Sequence, residues 1–221
     1  MTVLTVFDLD GTLIDSQRDL AASANQLIEE CGGVPLPVDA VARMVGEGAR
    51  LLVQRALAAA GVRDPGTSAL ERFLAIYDER LLDDTRPYDG VIDALAAAAA
   101  RGPVAVLTNK PQHHTERVLA GLGLVRWFAE VIGGDTPFGR KPDPAGLRHL
   151  VARHGGQPAT TVMVGDSVVD LRTARAAGVH ACVARYGFGF RNFPPDERLD
   201  DASVIDEPGE FAAVLNRLAR G

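Results

Sequence analysis

Cysteine is scarce in this chain, and long apolar runs and basic excess are missing. Cys31 and Cys182 are the two cysteines among 221 residues. So few, so far apart, cannot build a disulfide framework; free buried thiols in a reducing compartment are expected. No apolar run reaches the length needed to span a bilayer, and the alanine-rich Ala94–Ala100 is far too short. No basic leader with an apolar core and cleavage site is visible, so the expected location is cytoplasmic. The formal net charge is −6, which argues against nucleic acid or an anionic membrane as partner, since both favour basic patches. There is no internal repeat and no long low-complexity segment. What remains is ordinary: 47% hydrophobic and 24% charged residues, a soluble globular composition. The length suits one large domain or a core with an insertion.

Short apolar runs alternate with helix-period segments. Strands are predicted at Val3–Phe7, Val104–Leu107, Glu130–Ile132, Thr161–Val164, Ala181–Val183 and Ser203–Ile205. Helices are predicted near Val91–Arg101, Thr115–Leu122, Pro144–His154, Val168–Ala177 and Gly209–Leu218. This rhythm predicts an α/β fold, a doubly wound parallel sheet with helices on both faces. The stretch from Ser16 to about Leu82 reads as helices alone. Ser16 is placed to cap a helix running to Glu30; Val38–Val45, Ala49–Ala60 and Thr67–Leu82 follow. Breaks fall at Gly32-Gly33, Pro35 and Pro37, Gly46-Glu47-Gly48 and Asp64-Pro65-Gly66. The expected organisation is a core of residues 1–15 and 84–221 with a helical insert over residues 16–83. The insert would sit above the carboxyl edge of the first strand.

Four segments at strand ends carry complementary chemistry. The first is Asp8-Leu9-Asp10-Gly11-Thr12, directly after Val3–Phe7. Ligand sites of parallel sheets lie outside the carboxyl ends of strands. Two carboxylates this close repel unless a cation or proton stands between them, and an ionised one can act as nucleophile. The second is Thr108-Asn109-Lys110, whose hydroxyl and backbone N–H groups suit an oxyanion. The third is Lys141-Pro142-Asp143-Pro144, with a compact positive charge on a stiffened segment. The fourth is Gly165-Asp166-Ser167-x-x-Asp170, where Asp170 follows Asp166 by one helical turn. Mg²⁺ takes one or two carboxylates together with water and substrate phosphate. Taken singly, each has a plain reading: capping acids, a strand-end cap, a solvated lysine, an acidic helix N-terminus.

In order and each at a strand end, the four resemble the motifs of the haloacid dehalogenase superfamily. The resemblance covers nearly the whole chain, because the helical insert sits where that family carries an α-helical cap. It implies a Mg²⁺-dependent phosphomonoester hydrolase. Asp8 would attack phosphorus and form an aspartyl phosphate. Asp10 would protonate the leaving oxygen and then activate water. Thr108 and Lys141 would hold the phosphoryl oxygens. Mg²⁺ would bind the Asp8 carboxylate, the Asp10 backbone carbonyl and Asp166, with Asp170 binding or orienting from behind.

An acid at position 10 separates this chain from relatives that cleave carbon–halogen or carbon–phosphorus bonds. It implies a leaving alcohol that needs a proton. Val45-Gly46-Glu47-Gly48-Ala49, Thr108-Asn109-Lys110-Pro111 and Tyr186-Gly187-Phe188-Gly189 resemble the branch acting on small phosphorylated metabolites such as 2-phosphoglycolate. On that resemblance the partner is a small phosphate ester, and Thr108, Asn109, Lys141, Gly46 and Arg50 are candidate substrate-binding residues. Arg50 would meet a small carboxylate. The alternatives are a phosphosugar mutase or pyrophosphatase, or a non-catalytic binding protein on the same scaffold. A monomer or homodimer is expected. Gly46-x-Gly48 lacks the third glycine of a dinucleotide fingerprint and follows no strand. His113, His114, His149 and His154 read as surface histidines, Trp127 and Phe128 as core, and Gly187–Pro195 as a solvated loop.

Overall fold

The structure, a computed structural model, describes residues 2–63 and 66–219. The turn expected at Asp64-Pro65-Gly66 falls partly outside them. Strands β1 (Leu4–Phe7), β4 (Val104–Leu107), β5 (Glu130–Ile132), β6 (Thr161–Gly165), β7 (His180–Ala184) and β8 (Ala202–Ile205) form one parallel sheet, ordered β5-β4-β1-β6-β7-β8. Two further strands, β2 (Ile14–Asp15) and β3 (Arg86–Pro87), pair antiparallel in a separate ribbon. They are too short to leave a period in the sequence. The predicted strands stand within a residue or so at each end.

Five helices cover the sheet: α5 (Val91–Ala99), α6 (Gln112–Gly121), α7 (Ala145–Arg153), α8 (Val168–Ala177) and α9 (Phe211–Leu218). Alternate strand residues feed two cores, as a pleat of period two requires. Phe7, Val106, Val164 and Cys182 pack with α5, α6 and α9; Leu4, Val6, Leu107 and Met163 pack with α7 and α8. Because both faces are covered, β1, β4 and β6 are buried along their whole length, which explains their unbroken apolar runs.

The stretch after β2 folds as α1 (Gln17–Glu30), α2 (Val38–Ala42), α3 (Ala49–Ala59) and α4 (Ala69–Arg80). Their apolar faces meet through Leu27, Ile28, Leu52, Val53, Phe73 and Ile76. Ribbon β2–β3 lays the segment leading into this block beside the segment leading out. Asp19 of α1 reinforces the joint. Its buried carboxylate accepts hydrogen bonds from the Asp84 and Thr85 backbone N–H groups and from the Thr85 hydroxyl, at 2.7–3.1 Å. Ser16 does not cap α1 with its side chain. Its hydroxyl turns instead to Asp10, donating to Oδ1 at 2.6 Å. Among the described residues, no helix is long and apolar enough to cross a membrane.

Candidate active site at the carboxyl ends of the central strands

Strand β1 lies between β4 and β6, and the chain reaches its two neighbours in opposite directions. This is the switch point at which a doubly wound sheet opens a crevice. The four sequence segments follow β1, β4, β5 and β6, so Asp8, Thr108, Lys141 and Asp166 arrive there together. The chain turns sharply after β1, with Leu13 N–H bonding Leu9 C=O and Gly11 N–H bonding Ile14 C=O. Gly11 has a φ of +86°, and a Cβ there would lie 1.9 Å from Asp166 Oδ2. Only glycine lets this turn pass so close to a carboxylate.

Asp8, Asp166 and Asp170 are buried, and one carboxylate oxygen from each lies within 4.8 Å of the others. Lys141 closes the group, with Nζ 2.7 Å from Asp8 Oδ1 and 2.5 Å from Asp170 Oδ1. One lysine faces three acids. Burial pushes the Asp8 carboxyl up to about 6, with Asp170 adding to the rise and Lys141 opposing it. Burial, then Asp8 and Asp170, push Asp166 well above the carboxylate range. Burial alone would pull Lys141 down, but Asp170 and Asp8 outweigh it and leave it raised to about 12. Three clustered hard oxygen donors with charge still to neutralise form a fit site for a small divalent cation.

The supports around the cluster are specific. Asp170 Oδ2 accepts from the Ser167 N–H and hydroxyl, in a capping box that starts α8. The acidic-N-terminus reading of Asp170 and its place in the cluster therefore both hold. Asp166 Oδ2 accepts from Gly189 N–H at 2.7 Å. The Gly187–Pro195 loop is thus not simply solvated: Phe188 and Gly189 are buried, and Tyr186 donates its hydroxyl to Thr12 C=O.

The candidate binding residues divide. Thr108 is buried, and its Oγ1 accepts from Lys110 N–H. Asn109 is committed elsewhere: its Oδ1 accepts from Lys141 N–H, and its Nδ2 donates to the Lys141 and Gly46 carbonyls. It acts as a strut joining β4, the Lys141 segment and the helical block, rather than as a free ligand. Gly46 lines the central cavity with Asp8, Asp10, Thr108 and Asn109. Arg50 does not reach it. That side chain is exposed and borders a separate groove with Val53, Gln54 and Leu70, because Ala49 and Leu52, not Arg50, occupy the face of α3 turned to the cavity.

Asp10 stands beside the acid cluster, not in it. Its carboxylate accepts from the Ser16 hydroxyl at 2.6 Å and from Lys110 Nζ at 3.0 and 3.1 Å. Lys110 had no role from sequence, yet it is 6% exposed and also bonds the Tyr77 hydroxyl of α4 at 2.5 Å. Burial works against its charge, but Asp10 and Tyr77 more than offset it and the ammonium stays raised. Its position one residue beyond Asn109, at a buried strand's end, was the available signal. The histidine reading also needs correcting. His114 is buried and stacks on Tyr77, as the helical period of His114, Thr115, Val118 and Leu119 would place it. His149 and His154 both reach Glu130, at 2.9 and 3.0 Å. Trp127 and Phe128 sit at the edge of the core, half-buried.

Such a constellation marks an enzyme that handles an anionic group beside a cation. The chain belongs to the haloacid dehalogenase-like hydrolase family, whose model matches residues 4–178. It is 45% identical over 215 residues to a phosphoglycolate phosphatase of Rhodospirillum rubrum, covering 94% of this chain and 88% of that one. It is 36% identical over 226 residues to a phosphoglycolate phosphatase of Agrobacterium fabrum, covering 98% and 96%. A crystal structure of a predicted phosphoglycolate phosphatase from Haemophilus somnus superposes with a TM-score of 0.88 at 30% identity, covering 96% of this chain and 97% of that one.

Proposed function

We propose that this chain is a Mg²⁺-dependent phosphomonoester hydrolase that works through an aspartyl phosphate on Asp8, with 2-phosphoglycolate as its substrate. The observation that carries the reading is the meeting of Asp8 with Lys141, Asp166 and Asp170 at the sheet's switch point. The substrate rests on the names of the relatives at 45% and 36% identity.

Asp8, Asp166 and the Asp10 backbone carbonyl would hold the metal, with Asp170 fixing the cluster from behind. When bound, the cation supplies positive charge to the acids and to the phosphoryl oxygens. The remaining work belongs to side chains. The Asp8 carboxylate displaces the alcohol from phosphorus. The Asp10 carboxyl gives a proton to the leaving oxygen, then takes one from the water that hydrolyses the acyl phosphate. The Thr108 hydroxyl and Lys141 ammonium hold the transferring oxygens in line, which is most of what phosphoryl transfer asks of a protein.

In this reading residues 16–83 form a cap on a core of 1–15 and 84–221. The β2–β3 ribbon and the Asp19 bonds support it, since they join the two connecting segments. A cytoplasmic monomer or homodimer acting on a small ester fits the free cysteines and the charge. The test is phosphate release from an aryl phosphate with Mg²⁺ and with EDTA. Release that needs the metal and disappears in Asp8→Asn is expected; metal-independent release, or none, contradicts the reading.

A further inference from the structure

Lys110 is a costly residue to bury. Its ammonium is shut in among Asp10, Tyr77 and apolar side chains, and a desolvated charge persists only where it has work or a partner. Asp10 is its partner at rest. The cavity beside it holds about 50 Å³, room for roughly four waters. Leu20, Val45, Leu52 and Phe73 give it apolar walls, and among the described lining residues Lys110 is the one cation.

Two further donors point into the same space. The Tyr77 hydroxyl accepts from Lys110, so its own proton is available, and among the described residues it has no acceptor. The N-terminus of α3, uncapped by any side chain, opens at Gly48 and Ala49 and favours an anion. All of this stands on the Asp10 side of the site, where the leaving alcohol departs if Asp10 is the proton donor. A carboxylate one carbon from the ester oxygen would lie within reach of Lys110.

Resting on the phosphatase reading of the same site, we infer that Lys110, braced by Tyr77, receives an acidic group on the leaving alcohol. The enzyme thereby selects phosphate esters of small hydroxy acids over those of neutral alcohols and sugars. The role expected of Arg50 falls to a lysine buried at the core. Lys110 is bound to Asp10 until substrate arrives, and shares its protons between Asp10 and the incoming carboxylate thereafter. The sugar of a hexose phosphate carries no acid group to meet Lys110.

The test is calorimetric binding in Mg²⁺ buffer to Asp8→Asn, which leaves the ester intact. The probes are 2-phosphoglycolate and isobutyl phosphate, which has the same shape without the charge. The acid ester should bind on the order of tenfold to a hundredfold more tightly, the scale of a hydrogen bond to a charged group. Adding Lys110→Met should erase that margin, Lys110→Arg should restore part of it, and Tyr77→Phe should cut it severalfold. Thermal melts check folding; if Lys110→Met fails to fold, Lys110→Arg and Tyr77→Phe decide. Equal affinity for the two esters, or a margin that survives these changes, overturns the inference. If the parent chain hydrolyses no ester, the phosphatase reading falls, and the binding margin still decides the role of Lys110.

Discussion

Asp8 carries two demands that oppose each other. As the proposed nucleophile it must be ionised to attack phosphorus, yet it is buried beside Asp166 and Asp170. Without metal its carboxyl is raised from 3.8 to about 6 in the folded chain, so the fold favours its proton. That stabilisation is complete below about pH 4 and is lost as the pH rises through about 6. Asp8→Asn cannot ionise. In EDTA it should match the parent near pH 4 and exceed it at pH 7 by a few kcal/mol, read as a higher melting temperature. An advantage that does not grow with pH would contradict the assigned cluster. Turnover should fall about ten-thousand-fold or more in the same variant. Asp8, Asp10, Thr108 and Asp166 were legible because each stands just beyond a strand's end, Asp170 because it follows Asp166 by one helical turn, and Lys141 because prolines stiffen its segment in the loop after β5. The partners of Lys110 and the commitment of Asn109 were not, since residues 32 to 100 away decide them.

The segments between the elements are under equally tight constraint. A Cβ on Gly187 would lie 2.1 Å from the Gly11 carbonyl and 2.3 Å from Asp166 Cβ. Gly187→Ala should cost about 1–3 kcal/mol by overpacking and raise the Mg²⁺ concentration needed for activity, because the displaced carboxylate is Asp166. Urea denaturation and metal titration check both, and an unchanged metal response would separate this loop from the site. Asp19→Ala leaves the Asp84 and Thr85 donors without their acceptor. A loss of about 3 kcal/mol is expected, with faster proteolysis at the joint; a loss under about 1 kcal/mol would show that the β2–β3 ribbon alone holds it. The strands and most helices were legible from apolar period. The ribbon was not, because two residues carry no period, and neither was the turn of Ser16 toward Asp10, because capping and this bond use the same hydroxyl.

At the scale of the whole molecule, the sheet order makes one place where β1, β4 and β6 end side by side, and the helical block closes over it. The sequence rhythm implied the parallel sheet and its insert. It could not show which face of α3 turns inward, and so Arg50 was expected where Ala49 and Leu52 stand. A cation held by Asp8 and Asp166, as proposed, would couple the site to overall stability. Mg²⁺ at a hundred times its dissociation constant should add about 2.7 kcal/mol, reversed by EDTA and blunted in Asp166→Asn; a melting temperature indifferent to Mg²⁺ would contradict the assignment. The central claim is that Asp8 itself takes the phosphoryl group. Acid-quenched turnover of 2-phosphoglycolate, followed by peptide mass spectrometry, tests it most directly. One added phosphoryl group on Asp8, absent when Mg²⁺ is chelated, is the predicted result; phosphate release with Asp8 never modified would contradict it.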